Sequence, residues 1–137
     1  VGGFAAPHYL STVEAFDPNA NQWWGVAPLR SPRRDLGLTA VEHRHMLVCA
    51  GGYDGNTYLG AVEAFDPRTN NWRQLAPLRY PRQLLGLCSQ GDQVFAVGGF
   101  DGKDTVRVVE MYDVRIDRWQ DMPPMSTNRL GLGVCCV

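Results

Sequence analysis

The sequence predicts an all-β protein, a β-propeller arc of about three four-stranded blades that forms part of a larger ring. Three observations predict it. One segment recurs, as VEAFDPNANQW at Val13–Trp23, VEAFDPRTNNW at Val62–Trp72 and VEMYDVRIDRW at Val109–Trp119. Its spacing is close to 50 residues, the length of a four-stranded repeat. Apolar runs are short, strand-like and separated by turn residues, and no helical period competes with them.

Landmark residues fix the unit. Glycine pairs stand at Gly2-Gly3, Gly51-Gly52 and Gly98-Gly99, with Glu14, Glu63 and Glu110 each eleven after the second glycine. Trp23, Trp72 and Trp119 follow the acids by nine, Pro28, Pro77 and Pro124 follow by a further five, and Arg33, Arg82 and Arg129 by five more. Gly37, Gly86 and Gly133 close the series four residues on. The units are 1–50, 51–97 and 98–137, together one partial propeller over 1–137. Because the first begins inside a repeat, the chain reads as a piece with two open edges, which are liable to pair.

Within a unit, LGLCSQ and QVFAVGG are two strands split by Gly91-Asp92, a hairpin signal. The equivalent hairpin around VEHRHM is two residues longer, as expected of a surface tip. A loop such as YDGNTYLG leads to AVEAF, and the turn DPRTNN leads to a fourth strand around Trp72. Asp bonds its own turn backbone and Pro presets φ, so Asp-Pro suits that corner. The first strand should lie nearest the axis, where Gly37, Gly86 and Gly133 leave room. The glycine pairs should let a bulky neighbour, the Trp, approach the backbone. Repeated acids read as architecture, partners for Arg or backbone amides.

Composition narrows the function. A formal charge of -1 gives no nucleic-acid or membrane-surface footprint. No apolar run approaches the ~20 residues of a membrane span. Cys49, Cys88, Cys135 and Cys136 include no C-x-x-C pair and stand in apolar stretches, so they read as reduced core thiols of an intracellular, cytoplasmic protein. His43 and His45 lack a third metal ligand, Ser31, Ser89 and Ser126 lack a nucleophile motif, and no phosphate loop follows the glycine pairs. The sequence therefore predicts no catalytic residue, no metal site and no cofactor, and a binding protein in place of an enzyme.

The GG, VExYD(P), W and R landmarks resemble the kelch repeat across the whole chain. Gly51-Gly52-Tyr53-Asp54-Gly55 and Gly98-Gly99-Phe100-Asp101-Gly102 are most similar to the repeats of kelch-like BTB-BACK-kelch adaptors. The first unit departs with Ala5 and Ala6, and the third has Val114 in place of Pro. The resemblance implies a kelch-type propeller that closes with about six blades. It also implies a substrate-recognition domain of a cullin-RING ubiquitin ligase adaptor, whose cullin-gripping regions are not among these residues. Actin bundling or anchoring by a cytoskeletal kelch scaffold is the alternative, and a copper-dependent propeller oxidase a remote one. In such adaptors Arg and Tyr hold acidic degron peptides. Here Arg33, Arg82 and Arg129 would form a ring at the channel mouth, beside Tyr53 and Phe100. Arg forks onto carboxylates and aromatics give rigid contact area. An equal reading has these Arg residues pairing with acids inside the blades.

Overall fold

The computed structural model describes residues 1–137. Twelve strands follow in order: β1 (Gly3–Ala5), β2 (His8–Leu10), β3 (Val13–Asp17), β4 (Gln22–Val26), β5 (Gly37–Val41), β6 (Met46–Ala50), β7 (Val62–Asp66), β8 (Asn71–Leu75), β9 (Gly86–Gln90), β10 (Gln93–Val97), β11 (Val109–Asp113) and β12 (Arg118–Met122). The sheets β5-β6-β7-β8 and β9-β10-β11-β12 are complete antiparallel blades, strands adjacent in chain order. β3 and β4 form a two-stranded sheet, and β1 and β2 a small hairpin. Each complete blade takes its two inner strands from one sequence unit and its two outer strands from the next, so blades and units are out of step. Residues 132–137, expected as another inner strand, form none.

The turns follow their residues. Gly91, at φ 55, closes β9 onto β10 tightly, whereas β5 and β6 are joined by a 3-10 turn, Glu42–Arg44, that ends on His45 at φ 50. At the outer corners the Asp17, Asp66 and Asp113 carboxylates accept the N–H two residues on, at 2.8, 2.9 and 2.9 Å. Val114 keeps this turn without proline, and its N–H donates to the Asp92 carbonyl at 2.9 Å, a bond proline could not make.

The core lies between blades. Val41, Val48, Val62 and Leu75 of one complete blade pack with Leu87, Val94, Tyr112 and Trp119 of the next. Val13, Leu29, Cys49, Phe65 and Trp72 fill the junction with β3–β4. Near the axis a Cβ on Gly37 would stand 2.6 Å from the Leu87 side chain, so the predicted crowding is real there. The glycine pairs have a different neighbour from the one expected. A Cβ on Gly52 would lie 2.7 Å from the Arg34 carbonyl oxygen, and one on Gly99 2.7 Å from that of Gln83. The backbone of the linker into the glycine's own blade, not Trp, makes the close approach.

The tryptophans join blades by another route. Trp72 donates its indole N–H to the Ala27 carbonyl at 2.7 Å, and Trp119 donates to Ala76 at 2.8 Å. Both carbonyls lie just beyond the last strand of the preceding sheet. Each indole also packs on an aromatic of its own sheet, Phe65 or Tyr112.

Candidate protein-interaction face

The arginine series divides. Arg33 and Arg82 are buried, with 1% and 0% of their surface exposed, and both turn into their own blades. Arg33 donates to Glu63 at 2.5 Å, to the Ala61 carbonyl at 3.2 Å and to Ser31 Oγ at 3.1 Å. Arg82 pairs with Glu110 and donates to the carbonyls of Gly98, Tyr80 and Ala96 at 2.8, 2.7 and 3.1 Å. The glutamates also accept linker amides, Arg30 N–H at 3.3 Å and Arg79 N–H at 2.7 Å. The expected ring of three guanidinium groups at the channel mouth is therefore corrected at Arg33 and Arg82. A guanidinium buried against a carboxylate and several carbonyls is not presented to a partner, even at Arg33, whose Nε is buried without an acceptor. Arg129 alone of the three is exposed.

Tyr53 and Phe100 stand in a longer feature than sequence spacing suggested. In each unit the loop between second and third strands folds back on itself. Phe4 faces Tyr9, Tyr53 faces Tyr58 and Phe100 faces Thr105. The rings then run on from loop to loop. Centroids are 5.0 Å apart for Phe4–Tyr9, 6.0 Å for Tyr9–Tyr53, 5.0 Å for Tyr53–Tyr58 and 5.7 Å for Tyr58–Phe100. The result is a row of five aromatic rings over three successive loops, partly exposed along its length.

Local chemistry holds this row in place. Asp54 accepts the N–H groups of Asn56 and Thr57 at 2.8 and 2.7 Å, and Asp101 those of Lys103 and Asp104 at 2.8 Å each. These bonds hold both carboxyls below the usual carboxylate range. The glycine after each Asp makes room for the preceding loop, since a Cβ on Gly55 would meet the Tyr9 ring at 2.7 Å and one on Gly102 the Tyr58 ring at 2.5 Å. The Asp-Gly dipeptides thus interlock neighbouring loops.

One cation sits in the row. The Arg34 guanidinium carbon lies 5.3, 5.6 and 5.7 Å from the ring centroids of Phe4, Tyr9 and Tyr53. Its backbone pairs with Tyr53, as Gln83 pairs with Phe100 one blade on. Its Nε is buried without a hydrogen-bond acceptor, although Asp35 stands 3.3 Å away out of line. Three aromatic faces thus stabilise a planar cation that keeps donors in hand. Sequence spacing missed Arg34, Tyr9 and Tyr58. Tyr9 and Tyr58 do carry a signal, six residues after the second glycine of their pairs. Arg34 carries a different one, standing where the other units have Gln83 and Leu130.

Comparison with known families agrees with this architecture. The kelch motif matches residues 36–79 and 81–126. The chain belongs to the kelch-repeat family. No curated protein matches it. Kelch repeats are protein–protein interaction modules and in general carry no catalysis. In this kelch protein no three His, Cys, Asp or Glu residues are grouped to hold a metal ion, and no helix is long and apolar enough to cross a membrane. Of the histidines, His43 instead meets Asp92 across the tips of two blades, at 2.7 Å.

Proposed function

We propose that the aromatic row and Arg34 form the substrate-binding face of a ubiquitin-ligase adaptor, and that this face takes an acidic, degron-like peptide. The single observation that carries the reading is Arg34, a partly exposed cation held against three aromatic rings; its terminal nitrogens make no hydrogen bond, and its one ion pair is with Asp35. A peptide carboxylate suits that guanidinium, while the side chains flanking it suit Tyr53 and Phe100. Arg129 offers a second cation on the exposed surface. Arg33 and Arg82 take no part, being committed to Glu63 and Glu110. The cullin scaffold would be gripped by regions outside these residues, and the protein would work in the cytoplasm.

The experiment uses full-length protein and a partner peptide recovered from it. Arg34→Ala should weaken binding by about 1.5–3 kcal/mol, the scale of a hydrogen bond to a charged group. Tyr53→Ala should weaken it comparably, with the melting temperature of both variants nearly unchanged. Affinity that falls only in step with folded protein would overturn the assignment of this face. Co-precipitation of a cullin with the full-length protein supports the adaptor role, and co-sedimentation with filamentous actin in its place supports the scaffold.

A further inference from the structure

The inner segments of neighbouring repeats meet at a repeated station. Counting from the glycine that opens each inner segment (Gly37, Gly86, Gly133), the second residue on faces the third residue on in the next segment. At the first such junction the pair is Thr39 and Ser89, whose hydroxyl oxygens are 3.5 Å apart. At the second it is Cys88 and Cys136, where the Cys136 thiol donates to Cys88 Sγ at 2.9 Å. The remaining thiols stand apart. Cys135 is exposed and occupies the station that faces away from β9. Cys49 is buried in β6 and is pushed up to about 12 by that burial.

We propose that Cys88 and Cys136 form a reversible disulfide, a modification site that ties the third blade's innermost strand to the segment after it. The sulfurs already touch across the junction, and bonding asks only that they close to about 2.05 Å. Of the two, Cys136 is partly exposed and is the thiol an oxidant meets first. Cys88 is shielded, and burial together with the neighbouring Cys136 thiol raises its pKa to about 12. With hydrogen peroxide as oxidant, the Cys136 thiolate attacks one peroxide oxygen, the O–O bond breaks and hydroxide leaves, giving the sulfenic acid. Cys88 sulfur then attacks Cys136 sulfur, the S–O bond breaks, and the hydroxyl leaves as water with the Cys88 proton. Two thiols lose two electrons, and one peroxide becomes two waters. The bond closes a loop around the whole of β10, β11 and β12, which restricts the unfolded chain and resists loss of the blade.

The test treats the reduced full-length protein, folded, with hydrogen peroxide. Free thiols are then alkylated and the digest is mapped by mass spectrometry. The expected product is one peptide pair joined through Cys88 and Cys136, lighter by two hydrogens, with Cys49 and Cys135 alkylated. Cys135→Ser should retain the link, and Cys136→Ser should abolish it. The unfolding midpoint should rise on oxidation, return with dithiothreitol, and stay fixed in Cys136→Ser. Cys136→Ser changes a partly exposed side chain, so the site remains testable even if a substitution at Cys88 prevents folding. A link through Cys135, or Cys136 carried to sulfinic acid while Cys88 stays alkylatable, overturns the proposal.

Discussion

The two complete blades and the β3–β4 sheet carry the same landmark residues, yet those residues do different work. Trp72 and Trp119 are 3% and 5% exposed, while Trp23 is 66% exposed. Glu63 and Glu110 are buried against arginine, and Glu14 is exposed. Phe65 and Tyr112 lie in the core, and Phe16 is exposed. The side chains and local strands are equivalent, so the difference comes from the neighbour. Trp72 is covered because the Ala27 carbonyl and Val26 lie across the junction, and Glu63 because Arg33 enters from the linker. A landmark of the repeat is half of an interaction, completed by its own blade's inner strands or by the preceding blade.

The largest test of that contrast is the buried ion pair. Arg82→Ala leaves Glu110 charged in the interior and should cost about 3–5 kcal/mol of stability. Within the arc these residues form, Glu14→Ala removes an exposed carboxylate and should change stability by less than about 0.5 kcal/mol. Urea unfolding of residues 1–137 checks both. Equal costs would show that the acid acts through its own strand, not through an arginine partner. Replacing both Arg82 and Glu110 with well-packed apolar residues should recover much of the loss, since desolvating the pair opposes its attraction.

The tryptophans give the next effect. Trp119→Ala should cost about 3–5 kcal/mol, as a buried aromatic whose removal leaves a cavity. It would also leave the Ala76 carbonyl without its indole donor. Within the arc these residues form, Trp23→Ala removes a largely exposed side chain that packs on Phe16, and its cost should be several-fold smaller. Calorimetric melting ranks the two. A matching loss at Trp23 would mean that another surface covers that ring.

Much of this was legible in the sequence because its causes are local. Alternating apolar runs, Gly91 at a hairpin and Asp66-Pro67 at a corner each determine their own few residues. Repetition of the same signals then gave the four-stranded order of the blades. What repetition could not give was direction across space. Arg82 fits a ring at the channel mouth or a pair with Glu110 equally well on spacing alone, and only the packed blade decides that it turns inward. Arg34 was hidden for the opposite reason, since a search for matching positions passes over the one that differs. Tyr9 and Tyr58 became visible once the loops interlocked, with Gly55 and Gly102 supplying the room. Cys88 and Cys136 lie far apart in the chain and meet only because the segment after β12 returns to lie beside β9.

The smallest effect sharpens the comparison between the two inter-blade junctions. At the first, Asn70 Oδ1 accepts the Ala27 N–H at 2.9 Å. At the second, the equivalent residue is Asp117, whose carboxylate accepts the Ala76 N–H at 2.8 Å and the Tyr112 hydroxyl at 2.6 Å. The two junctions share a backbone bond, but one acceptor titrates and the other does not. The Ala76 amide, and then the Tyr112 hydroxyl, hold the Asp117 carboxyl below its ordinary value near ~3.9. A folded-state pKa below the unfolded one means that the contribution is present above about pH 4 and is lost as pH falls through the folded value. Asp117→Asn should therefore cost little at neutral pH, since its amide oxygen accepts the same N–H, as Asn70 does. It should flatten the fall in stability below about pH 4 relative to the parent. Asp54, Asp66, Asp92, Asp101 and Asp113 also titrate low but are common to both proteins, so the difference between the two curves isolates Asp117. Urea midpoints measured from pH 6 to pH 3 would read it. Parallel curves would mean that the second junction does not depend on the charge of Asp117, and that Asn and Asp are interchangeable at this corner.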